Sequence, residues 1–526
     1  MQKSMNRFIG VLAPLLLAVL MMASCKKEND RTNWNVDVLA PLLYTSLTLE
    51  NIIPDSLLSY DENELVYLSY SDTILRFNLD TLIQIPDTAI VESFSMPIGL
   101  PNAPPGAQIT NIQDEIMLNA NNVELRKAVI REGIIQVKVT STFEAPILCT
   151  YSIPSAKLNG TPLEIEVVIP GSSEFLLPVD VSNYEIDLTT GSQPFNRIPT
   201  VLTVRTDPNG GNVALSIGQG FELETSFIGV IPRFAEGYFG QQTSSSGPEV
   251  EQFNAFNIIE SGSIDLEQVY VNLEIRNGVG VDIRANIHEF NAINSQTGAN
   301  IGLNHSILQT PVNLNRATYS GSQINYSSYT VELDHTNSDI KQMLESFPNA
   351  ISVAADLELN PLGNVSNHHD FAFDNSTIEG LIDVNIPLCL IAEELQLADT
   401  SDFSVGEDDA LQNVNSGKLT LQLTNGFPLE GWLGLIAING DEGTVLLNDG
   451  HFPAAITNAE NVVIAPVSQQ INITLDAGQM EKLRNATQLS IRARFSTTGL
   501  TQHVKLYRHY KLDAKLIADF NYHVNN

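Results

Sequence analysis

Three stretches of the chain repeat one order of apolar and polar positions. They are IREGIIQVKVTSTFEAPILCTYSI (130–153), IESGSIDLEQVYVNLEIRNGVGVDIRANI (259–287) and VNSGKLTLQLTNGFPLEGWLGLIAI (414–438). After Gly133, Gly262 and Gly417 the apolar residues alternate with polar ones: Val137 and Val139; Val269, Val271 and Leu273; Leu419, Leu421 and Leu423. Alternation with a period of two marks a strand that buries one face. A turn rich in Asn, Gly or Pro follows, then a second apolar run, so each copy is expected to open with a hairpin.

The likeness continues downstream. Residues 329–359 and 471–495 both read as strand, helix, strand. In the first, Ile340, Met343, Leu344 and Phe347 share a helical face, with Ser338 as the expected N-cap and Pro348 as the stop. In the second, Met480 and Leu483 hold that face, and Arg492 and Arg494 alternate with Ile491, Ala493 and Phe495. The matching place in the first copy, 184–206, carries Gly191 and Pro194 and is expected to be a loop. A closing strand ends each copy, with Phe227, Gly229 and Ile231 set against Ile382, Val384 and Ile386, then Ala518, Phe520 and Tyr522.

Residues 34–119 show no copy of this unit and are expected to form a separate β-rich region. In it ELVYLSY and TILRFNL read as two strands joined at Ser71-Asp72, and the proline-rich 96–107 reads as irregular. TSSSGPE (243–249) and DTSDFSVGEDDA (399–410) read as linkers. The expected organisation is a segment 1–24, a tether 25–33, the region 34–119, and copies at 120–245, 255–398 and 410–526. The fold class is mainly β: tandem antiparallel β-sandwich-like domains, at least two with one short helix.

The pattern resembles the late-embryogenesis-abundant and water-stress (WHy) sandwich family. The residues that carry the likeness are LQLTNGFPLEGWLGL (421–435), VTSTFEAPILCTYSI (139–153) and the helix SDIKQMLESF (338–347), within 120–526. The chain as a whole also resembles uncharacterised lipoproteins of Gram-negative bacteria that start on W-x-x-x-x-x-A-P-L, here Trp34 to Leu42. Neither likeness brings an active site with it.

The first residues set the expected address. Lys3 and Arg7 precede an uncharged run from Phe8 to Ser24, and Cys25 follows. A basic start, an apolar core and small residues form a secretory signal. Met22, Ala23, Ser24 and Cys25 resemble a bacterial lipobox, which implies that the Cys25 thiol is acylated and that the mature chain begins there. Lys26 stands where an aspartate commonly retains lipoproteins at the inner membrane, which points to the outer membrane, at the cell surface or on the periplasmic side. The chain has 61 acidic against 27 basic residues, a net charge of −34. Such a charge repels nucleic acid and anionic headgroups, so nucleic acid is not an expected partner. Membrane contact is expected through the N-terminal lipid alone.

Chemistry is sparse. There is no G-x-S-x-G elbow, no P-loop and no H-E-x-x-H. His368, His369 and Asp370 in VSNHHDF are the best metal candidates, weakened because neighbouring strand residues point to opposite faces. NGDEGT (439–444) and VGEDDA (405–410) lack the regular acidic spacing of a calcium loop. Glu393-Glu394 is the acidic pair that a glycosidase would suggest, and His503 and His509 lie near each other in sequence. Cys149 and Cys389 are too few for a disulfide framework. The expectation is a protein with no catalytic residues and no cofactor: a lipid-anchored binding or scaffold module that meets an envelope protein or polysaccharide. The alternative is a carrier of lipid or another apolar ligand between curved sheets, and a hydrolase ranks third.

Overall fold

The computed structural model describes residues 34–78, 87–119, 122–256, 259–402 and 414–524. The signal, Cys25 and the tether 25–33, and most of the acidic segment 399–410, lie outside them. Among the described residues the fold is mainly β, with antiparallel strand pairing and two short α-helices, Ile340–Glu345 and Ala477–Arg484, beside a single helical turn at Leu49–Ile52. The alternating residues face inward as their period requires: Val137, Val139, Val271, Leu273, Leu419 and Leu423 are all buried.

The expected hairpins are not hairpins. The opening strand of unit one, Glu124–Ser141, pairs with Glu174–Asp180 and Gly220–Tyr238, whereas the next strand, Ile147–Leu158, pairs with Thr161–Ile169 and Arg197–Thr206. In unit two the opening strand Tyr270–Asn277 lies between Ser327–Asp334 and Thr377–Pro387, and Ile283–Asn294 lies beside Ala350–Leu359. In unit three Val414–Asn425 lies between Val467–Leu475 and Lys511–Val524, and Glu430–Asn439 lies between Glu442–Phe452 and Gln488–Ser496. The turn in each copy therefore carries the chain from one sheet to the facing sheet of a sandwich. The cause is visible in the turns, where Phe143, Val279, Val281, Phe427 and Leu429 are buried. A hairpin tip leaves such residues in water; an arch between sheets places them over the core.

The arches share one set of bonds. The Asn277 amide donates to Val281 O and Asn315 O at 2.9 and 2.8 Å, and its oxygen accepts the Val279 N–H at 2.9 Å. Asn425 does the same with Leu429 O, Pro453 O and the Phe427 N–H. In unit one the Ser141 hydroxyl accepts the Phe143 N–H at 3.2 Å. The next residue, Thr142, Gly278 or Gly426, donates its N–H to the start of the closing strand, at Gly220 O, Thr377 O or Lys511 O.

Register follows from these anchors and corrects two alignments. Phe221, Ile378 and Leu512 stand opposite Ser141, Asn277 and Asn425. Counting along the closing strands, Phe227 and Ala518 match Val384, two residues beyond the Ile382 expected. Gly262 is not a counterpart of Gly133 and Gly417, because it lies on a separate strand, Ile259–Leu266, that pairs with Cys389–Asp402.

Residues 34–119 do not form a region of their own. Trp34–Thr48 pairs with the closing strand of unit three, Val66–Asn78 with that of unit two, and Thr88–Ser95 with that of unit one. One strand is thus donated to each sandwich, in reverse order, with Leu47, Phe77 and Phe94 facing Leu512, Ile378 and Phe221. Gln108–Met117 belongs to unit one beside Arg197–Thr206, so the expected boundary at 119/120 falls inside a sandwich. Val66–Asn78 is one continuous strand, with no break at Ser71-Asp72. Residues 243–249 are no linker either: they lie in the edge strand Gln242–Gln252 against Ala350–Leu359, a position where proline is tolerated. Within 96–107 the four residues Leu100–Ala103 form a short strand with Val213–Leu215.

The helices bury the faces their patterns predict, except that the first ends at Glu345 and leaves Phe347 beyond it, at φ +51°. Ile340, Met343 and Leu344 are buried on one, Met480 and Leu483 on the other. Asp476 caps the second through a capping box with Gln479. In the first, Asp339 rather than Ser338 occupies the N-cap, and the Ser338 hydroxyl donates to Asp334 O at 2.9 Å. Residues 188–196 of unit one form a loop in place of a helix, as expected.

Candidate functional site

The three metal candidates lie together where unit two meets unit one, but each is spent on a different partner. His368 sits at φ +64°, off any strand, so its side chain is not constrained to the face opposite that of His369. Its Nε2 meets Glu124 Oε2 of the opening strand of unit one, and its ring stacks near Phe195 at 5.9 Å between centroids. His369 Nδ1 meets Glu236 Oε1 at 2.7 Å. Asp370 is fully buried and turns the other way: its Oδ2 accepts the Phe239 N–H at 3.0 Å and the Asn360 amide at 2.7 Å. Its Oδ1 has no hydrogen-bond partner and faces Arg316 Nη1 at 3.8 Å, while Arg316 Nη2 holds Asp282 at 2.8 Å. Beyond them Phe371 and Phe373 continue the sheet onto Glu236 and Phe234 of unit one, and Asp374 pairs with Arg131 at 3.3 Å. The motif is a clasp between two sandwiches, and among the described residues no group of three His, Cys, Asp or Glu is arranged to hold a metal ion.

The other candidates are dispersed. His503 lies 3.5 Å from Asp265 and His509 lies 3.4 Å from Glu64, on separate partners. Glu394 meets Arg494, and Glu393 accepts from the Ser263 hydroxyl, so the two carboxylates do not converge. Asn439 and Glu442 close a hairpin turn in which Gly440 takes φ +59°, the ordinary use of an Asn-Gly pair. Cys149 and Cys389 are free and buried. Burial pushes both thiols up to about 12, helped at Cys389 by Glu267 Oε2, which accepts its S–H at 2.6 Å. Thiols held protonated in this way are poor nucleophiles. No described helix is long and apolar enough to cross a membrane.

One feature was not legible from the sequence: a cavity of about 110 Å³ between units two and three. It lies where the helical turn of the N-terminal segment (Leu49, Ile53), unit two (Ala255, Phe256, Ile386) and unit three (Phe427, Phe495) converge, and every lining residue among the described residues is apolar. The seam is held at its rim by the N-terminal connector: Val66 N–H donates to Leu506 O, Leu388 N–H to Val66 O, and Arg508 reaches Glu50 at 3.0 Å. Among the described residues no buried polar atom without a partner lines it, so none of them offers a hold for a water molecule.

No family model matches the chain, the water-stress sandwich included, and no curated protein matches it. Among solved structures it is similar to a protein of Parabacteroides distasonis ATCC 8503 described as secreted, with 14% identity over 52% of this chain and 82% of that one, at a TM-score of 0.27. It is also similar to a triple jelly roll protein of an archaeal virus, with 10% identity over 80% and 95% of the two chains and a TM-score of 0.12. A third likeness, to Desmodium yellow mottle tymovirus, has 12% identity over 28% and 91% of the chains and the same TM-score of 0.12. Likenesses at these scores carry no functional reading.

Proposed function

We propose that this chain is a lipid-anchored protein of the bacterial outer membrane that works without catalysis, as a binding or scaffold module. The observation that carries the reading is the pairing of Trp34 with Val524, which makes the chain enter the fold at unit three. Only nine positions separate Cys25 from Trp34. Unit three is then held beside the membrane, and the donated strands lead through unit two to unit one, the last that the N-terminal segment reaches. The net charge of −34 keeps such an array solvated and off anionic lipid. Loops of the outer units are the surface offered to an envelope protein or polysaccharide. The clasp at His368, His369 and Asp370 supports the non-catalytic part of the reading, because its polar groups serve a junction.

Labelling with radioactive palmitate tests the anchor. Wild type is expected to take the label and stay with membranes, while Cys25→Ser takes none and appears in the soluble fraction. An unlabelled wild type removes the anchor. Reproducible esterase, glycosidase or peptidase turnover that is lost on changing His368, His369 or Asp370 removes the non-catalytic reading.

A further inference from the structure

We infer that the cavity between units two and three is a binding site for the end of an aliphatic chain. The inference goes beyond the scaffold role and does not depend on it. The described wall is apolar, so a guest gains contact with carbon and meets none of the polar groups that would hold an ordered water there. The volume of about 110 Å³ is somewhat below the ~150 Å³ of an engineered cavity that takes benzene, which leaves room for about four carbons of an alkyl chain. Ile259, Ile264 and Leu395 are only partly buried, so the wall they form lies nearest solvent. A longer chain would pass out there and leave its polar head in water. The site is also built from segments far apart in sequence, so occupancy would tie the N-terminal turn, unit two and unit three together.

The test uses the full-length lipoprotein in lipid nanodiscs, with xenon and n-hexane as probes and amide hydrogen exchange as the readout. At a probe concentration about ten times its Kd, exchange governed by opening of the seam slows about tenfold. The slowing is expected in peptides covering 259–266 and 386–395 and not in 147–158 of unit one. Ala255→Leu fills the space; it is expected to slow exchange at the seam without a probe and to abolish the response. Should that variant fail to fold, Ile264→Phe at the mouth serves the same purpose. Absence of slowing in wild type with both probes, or slowing retained in the filled variant, overturns the inference.

Discussion

Asn277 and Asn425 make the same three hydrogen bonds at the same place in two sandwiches: each side chain ties its own turn to a loop on the opposite side of the arch. Both are essentially inaccessible to solvent. Replacing either by Ala strands one buried N–H and one buried carbonyl, Val281 O or Leu429 O, each worth about 1–3 kcal/mol when left unpaired, and frees a second carbonyl on a more exposed loop. Asn277→Ala and Asn425→Ala are each expected to destabilise their sandwich by at least 2 kcal/mol or so on this scale. Denaturant unfolding followed by hydrogen exchange checks this. Ser141→Ala, which removes a single bond of 3.2 Å, should cost clearly less.

Glu92 supplies a pH dependence with a definite sign. It lies on the strand donated to unit one, with Oε2 unpartnered and Oε1 accepting only the Thr200 hydroxyl at 3.2 Å. Burial holds its carboxyl above the usual range, and the Thr200 bond offsets this only in part. A group whose folded pKa is raised favours folding while protonated, so its contribution is complete below the unfolded pKa and is lost as pH rises through the folded one. Glu92→Gln is therefore expected to be more stable than wild type at pH 7–8, with the difference shrinking to nothing near pH 4. Thermal unfolding across that range is the measurement, and a gap that widens on acidification would contradict the assignment.

The clasp separates a buried carboxylate from two more exposed imidazoles. Asp370→Ala leaves the Phe239 N–H and the Asn360 amide short of an acceptor and removes the second carboxylate, at 3.8 Å, from Arg316. Arg316 keeps Asp282 at 2.8 Å, so the cost is that of the two donors left short of an acceptor, about 1–3 kcal/mol each. Exchange should quicken at 234–240 and 360–373 while unit three is unaffected. His369→Ala, on an imidazole 58% exposed, should cost less than about 1 kcal/mol. A chelator should leave the melting temperature of wild type unchanged.

Faces were legible in the sequence and partners were not. A period of two says which side of a strand is buried, and Val137, Val271 and Leu419 obey it. It does not say whether the next strand lies alongside or across the core, which is why arches read as hairpins. The signal that separates them was present: NGVGV and NGFPL place apolar residues two and four positions after the asparagine, and a solvent-facing tip has no use for them. Donation of the N-terminal strands left no such trace, because Leu47 and Leu512 are joined only by the fold. The strand at 242–252 was hidden by its position, since an exposed edge tolerates the Ser, Gly and Pro that elsewhere mark a linker. The cavity is a mismatch among three packed segments, a property of shapes in space that composition does not encode.

The reverse order of donation sets a timetable for assembly. As the chain emerges from its N-terminus, Thr88–Ser95 waits for Gly220–Phe227, Val66–Asn78 for Thr377–Pro387, and Trp34–Thr48 for Lys511–Val524. The first strand out is the last to be housed. Partners therefore become available to unit one first and to unit three last, and Trp34–Thr48 stays without its partner strand until Lys511–Val524 arrives. A chain stalled before residue 511 can shut its first two sandwiches yet still carries a loose leading end, which proteases can use to distinguish an unfinished molecule from a finished one.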